Sequence, residues 1–405
     1  MAAAKAATSA LHSSVSASTM KIVEATAPVV AANIQTITST FYPRMFANNP
    51  EVKAFFNMAN QRQKRQPQAL ANSIVAAVGH INNLAAIAPA LDLIAHKHCA
   101  LGVLPEHYGI VHDNFMGAVA EVLGDAVTPE IGAAWSEVVM HVAQACIELE
   151  ANIYDQATAA LDNWDARQTK AFEVSRIVEE APDFASFYLK PADGTQPPAF
   201  KPGQFLTLCL DTDEAVTAPR HYTVSQAASG SDGVRVTVQR ALARDAGAPQ
   251  GKVSNWLHEH IAVGSVINVR PPFGIFTRDG VTTGTEVFIS ARNGITPMMA
   301  MMPAAAAAGK RTGFFYNPAP GHEQIFADEI AAARPEVTQV ASAAAPLQPA
   351  DIAAACQSNN LWDDATFFLC GPRDFVVDTV KELRSQGIPD GRIRHELYGP
   401  AVDTH

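Results

Sequence analysis

Apolar residues recur every three or four positions through the first third of the chain, from about residue 22 to residue 154. The clearest runs are Ile74–Leu84 and Trp135–Val142. This spacing places apolar side chains on one face of a helix. Because no alternating run interrupts it, we predict an all-helical domain over residues 21–156. Breaks are predicted at prolines, several of which suit the first turn of a helix: Pro43, Pro50, Pro67, Pro89, Pro105 and Pro129.

The pattern changes after a polar connection at residues 157–169. Short alternating runs at Phe172–Val178, Phe184–Leu189 and Gly233–Val238 predict the strands of an antiparallel β-barrel over residues 170–279. From Thr285 onward, short buried runs alternate with helical segments, which predicts an α/β domain with a parallel sheet over residues 280–405. The chain is therefore predicted to be multidomain, with a flexible extension at residues 1–20.

Composition and charge exclude several classes of protein. A hydrophobic content of 48% is typical of a well-packed globular protein, and a net charge of −11 is opposite in sign to the basic face of a nucleic-acid-binding protein. The five cysteines are dispersed, which excludes a thiolate cage for zinc or iron–sulfur and favours the reducing cytoplasm. We expect no membrane span and a monomer. The Ala- and Ser-rich first twenty residues leave mitochondrial targeting as the alternative to a cytoplasmic location.

Two histidines near the end of one predicted helix, His96 and His98, compete as metal ligands. A helical histidine is more often a surface or core residue than a ligand, so the motifs around the pair decide. Those motifs are Thr40-Phe-Tyr-Pro-Arg-Met-Phe46, Asn49-Pro-Glu-Val-Lys-Ala-Phe-Phe-Asn-Met58, Gly102-Val-Leu-Pro-Glu-His-Tyr108 and Glu148-Leu-Glu-Ala-Asn-Ile-Tyr154. Together they closely resemble the globin domain of flavohaemoglobins, over about residues 21–155.

The resemblance implies a haem b whose iron is bound by His98. It also implies a distal pair, Tyr42 and Gln66, that hydrogen-bonds the oxygen ligand, and proximal partners Tyr108 and Glu150 beside the histidine. A carboxylate that gives the imidazole anionic character pushes electron density to iron and favours oxygen activation. The alternatives are a core role for Tyr42 and a surface role for Glu150. The apolar residues that either wall the haem or simply fill the core are Phe56, Leu70, Ile74 and Val111.

Motifs in the predicted barrel suit a flavin. The run Arg220-His-Tyr-Thr223 provides an aromatic surface for the flavin ring and an arginine for its diphosphate on one strand. The run Gly251-Lys-Val-Ser254 opens a helix whose backbone amides suit phosphate. With Lys201-Pro-Gly-Gln-Phe205 before them, these motifs resemble the ferredoxin-reductase-like FAD domain of flavohaemoglobins. The FAD-binding residues that the resemblance implies are Phe205, Arg220, His221, Tyr222, Thr223, Gly251, Val253 and Ser254.

The last domain resembles the NAD(P)-binding part of the same family. The resemblance rests on Cys370-Gly371-Pro372 after a buried strand, and on the ending Glu396-Leu397-Tyr398-Gly399-Pro400. It implies that Tyr398 covers the flavin ring, and that Glu396 and Lys97 tune electron transfer between flavin and haem. A plain surface role for these two charged residues is the alternative.

The loop expected to bind NAD(P)H departs from the family pattern Ser-Ala-Gly-x-Gly-x-Thr-Pro. It runs Ser290-Ala-Arg292-Asn293-Gly294-Ile295-Thr296-Pro297, so that Arg292 replaces a glycine whose missing side chain lets the backbone approach the cofactor. Pro303 is expected to interrupt the next helix at a cost of about 3 kcal/mol or more, and the methionines between 298 and 302 are expected in the core. We therefore hypothesise weakened or re-specified NAD(P)H binding. The alternative is that Arg292 contacts a 2′-phosphate and favours NADPH.

The function implied by the resemblance is nitric oxide dioxygenase. NAD(P)H would reduce FAD, FAD would reduce haem, and O2 and nitric oxide would be the small-molecule partners that yield nitrate. One rival is a haem globin that binds or senses oxygen or nitric oxide beside an impaired reductase. The other is a flavin reductase that acts on peroxides or ferric chelates.

Overall fold

The computed structural model describes residues 15–56, 65–81, 83–210, 219–228, 230–242, 250–319, 324–342 and 345–398. They form two compact units, one that reaches to Gln168 and one that runs from Thr169 to Tyr398. The predicted fold class is confirmed: the first unit is helical, and the second holds an antiparallel sheet followed by a parallel one. The exact domain bounds drawn on the sequence stay predictions, because this division does not separate the two sheets.

The first unit is helical, and several of its helices have a proline in the first turn. The described helices are α1 (Ala17–Asn48), α2 (Arg65–Gly79), α3 (Ala88–Leu101), α4 (Pro105–Leu123) and α5 (Pro129–Ala159), with 3₁₀ turns at Pro50–Phe55, Leu84–Ile87 and Gly124–Ala126. Pro105 and Pro129 each begin a helix, and Pro89 lies in the first turn of α3. Proline suits these positions because its missing N–H has no helical partner there.

The predicted break at Pro43 is wrong. Pro43 lies inside the 32-residue helix α1, as does Pro28. Phe41, Tyr42 and Met45 around it are buried in the core. Tertiary burial of these side chains therefore outweighs the hydrogen bond that an interior proline removes.

The core of the helical unit lies where α1, α2, α4 and α5 pack together. Trp135 of α5 is fully buried there, and its Nε1 donates to Thr26 Oγ1 of α1 at 2.9 Å. A second cluster joins α3 to α5. By length and composition the stretch Leu84–Leu101 is apolar enough to cross a membrane. Leu84 and Leu91 of this stretch are buried in the second cluster, and 28% of the stretch is buried in all.

The second unit begins with an antiparallel barrel. Its strands are β1 (Lys170–Ala181), β2 (Phe184–Pro191), β3 (Phe205–Cys209), β4 (Arg220–Thr223), β5 (Val234–Gln239) and β6 (Val266–Phe273), with α6 (Lys252–His260) between β5 and β6. The order is β4-β3-β6-β1-β2-β5. Val224, just after β4, pairs antiparallel with Val236 of β5, which brings the two edges of the sheet together.

The chain then forms a five-stranded parallel sheet. It contains β7 (Thr285–Ala291), α7 (Ile295–Ala307), β8 (Arg311–Asn317), α8 (Ala327–Ala333), β9 (Val337–Val340), α9 (Pro349–Ser358), β10 (Ala365–Gly371), α10 (Arg373–Ser385) and β11 (Ile393–Leu397). The strand order is β11-β10-β7-β8-β9. Helices α7 and α8 cover one face, and α9 and α10 cover the other. Because helices cover both faces, the central strands β7 and β10 are buried along their whole length and are mostly apolar.

The predicted interruption at Pro303 is also wrong. Helix α7 continues through Pro303 to Ala307. Met298, Met299, Met301 and Met302 are fully buried against the sheet, which confirms their expected place in the core. The burial of this methionine-rich helix on a flat apolar sheet holds it together past the proline.

One buried ion pair joins the end of the barrel to β7. Arg278 donates from Nε and Nη2 to the two carboxylate oxygens of Glu286 at 2.6 and 2.7 Å, and the Glu286 side chain is 0% exposed. An equally bidentate pair, Arg311 with Glu336, lies on the surface, where Glu336 is 44% exposed. The two pairs differ mainly in burial.

We predict that Glu286→Ala lowers the free energy of unfolding of the second unit by about 3–5 kcal/mol, because it leaves Arg278 desolvated and unpaired. The matched variant Glu336→Ala should lower it by less than about 1 kcal/mol. Calorimetric unfolding of the full chain measures both. Equal effects would contradict the assignment of a buried pair.

Candidate functional site

The end of α3 places His98 at the boundary of the helical core. Gly102 follows the helix in the left-handed conformation with φ 83°, and Val103 N–H donates to His98 O at 3.0 Å. This C-cap satisfies carbonyls of the last turn. Tyr154 of α5 donates from its hydroxyl to Cys99 O at 3.2 Å and to Val103 O at 2.9 Å. The turn that carries His98 is therefore fixed to α5.

A buried carboxylate orients the His98 ring. His98 Nδ1 lies 2.7 Å from Glu150 Oε1 and 3.1 Å from the Tyr108 hydroxyl, and that hydroxyl also donates to Glu150 Oε1. The Glu150 side chain is 3% exposed and that of His98 is 35% exposed. Since a carboxylate only accepts hydrogen bonds, Nδ1 carries the proton and Nε2 keeps its lone pair. Glu150 is thus no surface acid.

The electrostatics keep Tyr108 a donor. Burial, with neighbouring Cys146 and Glu150, raises the pKa of the Tyr108 phenol far above its usual value. The phenol therefore stays protonated at any working pH and remains able to donate to Glu150. Three helices, α3, α4 and α5, each contribute one member of this His98–Tyr108–Glu150 group.

The competing histidine has a different environment. His96 Nε2 lies 3.9 Å from Asp92 Oδ1, one turn earlier on the same helix. Asp92 is substantially exposed, whereas the partner of His98 is buried. His98 therefore contacts a buried carboxylate, and His96 lies near an exposed one.

The side chains predicted for the distal side lie on α1 and α2, which pack together. Tyr42 is buried, and its ring centroid is 4.8 Å from that of Phe41, 6.0 Å from that of Phe46 and 5.8 Å from that of Phe56. Gln66 is half-buried in the first turn of α2. The aromatic contacts hold Tyr42 in place, while its distal role stays a prediction.

The residues around His98 fit a haem. An imidazole whose Nδ1–H is engaged presents a neutral Nε2, which is the nitrogen that binds haem iron. Four predicted wall residues are apolar yet only half-buried, although each packs against the helical core: Phe56, Leu70, Ile74 and Val111. Half-buried apolar side chains of this kind suit a flat apolar ring.

The residues predicted to bind flavin lie along β3, β4 and α6. Register pairs Phe205 with Thr223 and Leu206 with Tyr222. The Phe205 and His221 ring centroids are 4.6 Å apart, and His221 Nδ1 is 2.8 Å from Thr207 Oγ1. Arg220 and Tyr222 are half-buried on the other face of β4. Burial lowers the pKa of Arg220 and raises that of Tyr222, yet both keep their usual protonation at neutral pH.

The α6 element differs in detail from the prediction. Gly251 precedes the helix, and Ser254 Oγ accepts a hydrogen bond from Ala241 N at 3.0 Å. The Ser254 hydroxyl proton is left for a further acceptor. Val253 is buried, so its side chain packs in the interior and is not available as a ligand contact.

At the carboxyl edge of the parallel sheet, two loops make close contact. Gly294 lies so near the Cys370 carbonyl and Gly371 N that a Cβ added to it would overlap them. Gly371 has φ 155°, and Pro372 is the N-cap of α10. Ile295, Thr296 and Pro297 are all buried. Ile295 and Pro297 are apolar and pack in the core, so that Thr296 is the one of the three whose side chain can form a hydrogen bond.

Tyr398 joins the two parts of the second unit. Its hydroxyl is 2.9 Å from Thr296 Oγ1, 3.4 Å from Thr223 Oγ1 of the barrel and 3.5 Å from Asn293 O. Burial of the hydroxyl, with Cys370 and Glu396 nearby, raises the Tyr398 pKa well above its usual value. The pKa of the Cys370 thiol is also raised well above its usual value, mainly because the thiol is buried and secondly because Glu396 is nearby.

Other predicted residues are less informative. Leu397 packs on the α9–α10 face of the sheet. Lys97 and Glu396 are half-buried in different units, so their proposed pairing stays a prediction. Gly399 and Pro400 lie outside the described residues.

Two positioning residues, Thr207 and Tyr154, were not predicted from the sequence. Thr207 holds the His221 ring, and Tyr154 fixes the end of α3. The signal for Thr207 was a buried polar residue in an apolar strand, Phe205–Cys209. Tyr154 belongs to the motif Glu148–Tyr154, but its hydroxyl contacts the backbone of Cys99 and Val103. Because these residues are far from Tyr154 in the sequence, no local pattern predicts the contacts.

We predict that Gly294→Ala slows reduction of the flavin by NAD(P)H roughly 10- to 100-fold, because the added Cβ forces the two loops apart. The control Gly391→Ala, where an added Cβ meets no atom within 4 Å, should leave the rate unchanged. Stopped-flow absorbance of the flavin measures both. An unchanged rate in folded Gly294→Ala protein would rule out the close approach as a requirement.

Comparison with known proteins gives consistent results over most of the chain. The Globin family model matches residues 39–146. The Flavohemoprotein of Rhodopirellula baltica is 38% identical over 400 residues, which cover 94% of this chain and 97% of the relative. Flavohemoprotein A of Dictyostelium discoideum is 36% identical over 401 residues, which cover 96% of this chain and 100% of the relative.

Solved structures agree. The flavohemoglobin of Malassezia yamatoensis with bound FAD and heme has a TM-score of 0.80 at 25% identity and covers 96% of this chain and 100% of its own. The FAD/NAD-binding domain of nitric oxide dioxygenase from Vibrio cholerae has a TM-score of 0.50 at 28% identity and covers 57% of this chain and 100% of its own. The chain therefore belongs to the flavohaemoprotein family, as a haem globin joined to an FAD- and NAD(P)H-dependent reductase.

Proposed function

We propose that this flavohaemoprotein is a nitric oxide dioxygenase. The observation that carries the proposal is the 2.7 Å contact between His98 Nδ1 and Glu150 Oε1. A globin that only stores oxygen has no need of a buried carboxylate on its ligand histidine, whereas one that activates oxygen gains from it. The similarity of the second unit to the FAD/NAD-binding domain of nitric oxide dioxygenase from Vibrio cholerae supports the same activity.

The two cofactors would supply different parts of this reaction. Bound haem supplies the iron at which dioxygen and nitric oxide combine to nitrate, and bound FAD passes on the electron pair of NAD(P)H one electron at a time. Two nitric oxide and two dioxygen molecules with one NAD(P)H yield two nitrate ions, one NAD(P)⁺ and one proton.

On the proximal side, Glu150 accepts from His98 Nδ1–H and holds the proton on that nitrogen. Its negative charge, in a site that is 3% exposed, raises the electron-donating power of Nε2. Tyr108 donates to the same oxygen and fixes the carboxylate. On the distal side, the Tyr42 phenol and the Gln66 amide supply hydrogen-bond donors for a partly negative oxygen ligand.

In the second unit, Arg220 supplies a cation for the flavin diphosphate and Tyr222 an aromatic surface for its ring. Hydrogen bonds of the Tyr398 hydroxyl with Thr296 and Thr223 hold the Tyr398 ring next to β4, the strand that carries Arg220 and Tyr222. Exclusion of water by this ring protects reduced flavin from side reactions.

The proposed activity is tested with full-length protein loaded with haem and FAD. Under air, addition of nitric oxide should accelerate NAD(P)H oxidation and yield nitrate, with two nitric oxide molecules consumed per NAD(P)H. Binding of nitric oxide without turnover would identify a sensor instead. Equal activity in haem-free protein on peroxides or ferric chelates would identify a flavin reductase.

The role of the carboxylate gives a separate prediction. Glu150→Gln keeps an acceptor for His98 Nδ1 but removes the charge, and should lower nitric oxide turnover about 10- to 100-fold while haem is retained. The iron–histidine stretching frequency in resonance Raman spectra of the ferrous protein should fall.

The matched control is Glu148→Gln, two residues earlier on α5, where the carboxylate pairs with Gln144. It should leave both the turnover and the Raman band unchanged. A Glu150→Gln protein with the wild-type frequency would refute the electronic role of the carboxylate.

A further inference from the structure

The turn after β7 lies at the switch point of the parallel sheet. From β7 the chain proceeds to β8 and β9 on one side, then returns to β10 and β11 on the other. Helix α7 covers one face and α10 covers the opposite face. In open α/β sheets the ligand crevice lies at such a point, beyond the carboxyl ends of the strands. Arg292–Gly294 after β7 and Pro372 after β10 flank it.

Arg292 occupies this turn in an unfavourable backbone conformation. Its φ is 53°, in the left-handed region. Glycine adopts this region freely, whereas a residue with a Cβ is strained there. Strain of this kind persists where the surrounding structure imposes it, and it often accompanies a functional site.

The Arg292 side chain is also uncommitted. Within the described parts of the chain its guanidinium makes no hydrogen bond or ion pair, and the residue is half-buried. By contrast Arg235, Arg278 and Arg311 each form a bidentate pair with a glutamate. A half-buried guanidinium with five donors at a ligand crevice is suited to bind an anion.

The position of Arg292 selects which phosphate it meets. In doubly wound sheets the first strand-to-helix turn holds the diphosphate, and the ribose 2′ position is read near the end of the second strand. Here that strand is β8, which ends at Asn317. The Asn317 side chain is engaged with the backbone of Leu347 at 2.8 and 3.0 Å. It offers neither a carboxylate to repel a 2′-phosphate nor a cation to attract one.

We propose that Arg292 binds the diphosphate bridge of the pyridine dinucleotide, so that it strengthens the binding of NADH and NADPH alike. The guanidinium replaces contacts that a glycine turn would supply through its backbone. The assignment reverses the hypothesis of an impaired site. It rests on the reductase activity of the family and not on nitric oxide as substrate.

The test compares two arginines with the same backbone strain. Arg334 has φ 49°, and its guanidinium likewise has no hydrogen bond or ion pair within the described ranges, but it lies between α8 and β9 at the opposite edge of the sheet. Arg292→Gly and Arg334→Gly therefore remove the same charge and relieve the same strain. Arg292→Lys keeps the positive charge but removes the planar guanidinium, which can bind a phosphate through two hydrogen bonds at once.

The measurement is equilibrium titration of oxidised, FAD- and haem-loaded full-length protein with NAD⁺ and with NADP⁺. Arg292→Gly should raise both dissociation constants about tenfold, Arg292→Lys less, and Arg334→Gly neither. Inorganic pyrophosphate should compete with NAD⁺ in the unsubstituted protein and more weakly in Arg292→Gly.

Each other result overturns the proposal. Weakened binding of NADP⁺ alone would assign Arg292 to the 2′-phosphate. Unchanged or tighter binding of both nucleotides in Arg292→Gly would mean that the side chain is neutral or obstructive. Because no nitric oxide is involved, failure of the dioxygenase proposal leaves these outcomes unaffected.

Discussion

The buried carboxylate of Glu150 is the constraint on which the helical unit depends. A charge that is 3% exposed is costly unless donors surround it, and its donors come from two other helices: His98 of α3 and Tyr108 of α4. Satisfying Glu150 therefore fixes the mutual arrangement of α3, α4 and α5. The same contact fixes the imidazole tautomer. One interaction thus organises the fold and prepares the histidine for iron.

In the second unit, the corresponding constraint is close contact at the carboxyl edge of the parallel sheet. Gly294 packs directly on the Cys370 carbonyl, and the Tyr398 hydroxyl reaches both Thr296 and Thr223. Arg235 of β5 pairs with Glu329 of α8 at 2.6 and 2.8 Å, which also joins barrel to sheet. These contacts hold the barrel and the parallel sheet together as one unit. Such fixed placement matters because hydride transfer from nicotinamide to flavin requires precise positioning of the two rings.

Prediction from sequence succeeded where the signal was local. Helical periodicity between residues 22 and 154 and the alternating and buried runs after it gave the right classes of element in the right order. It failed at Pro43 and Pro303, which lie inside α1 and α7. In both helices the residues around the proline are deeply buried, and burial depends on neighbours distant in sequence.

The sequence by itself determined the residue types of the site, since the motifs around His98, Arg220 and Cys370 are contiguous strings. Only the tertiary structure decided between alternatives that those strings left open. It placed Glu150 inside the core and His96 beside an exposed Asp92, and it left the Arg292 guanidinium without a protein partner in the described structure. The physical reason is that burial and pairing of charges arise between segments far apart in the chain, where no local pattern of residues records them.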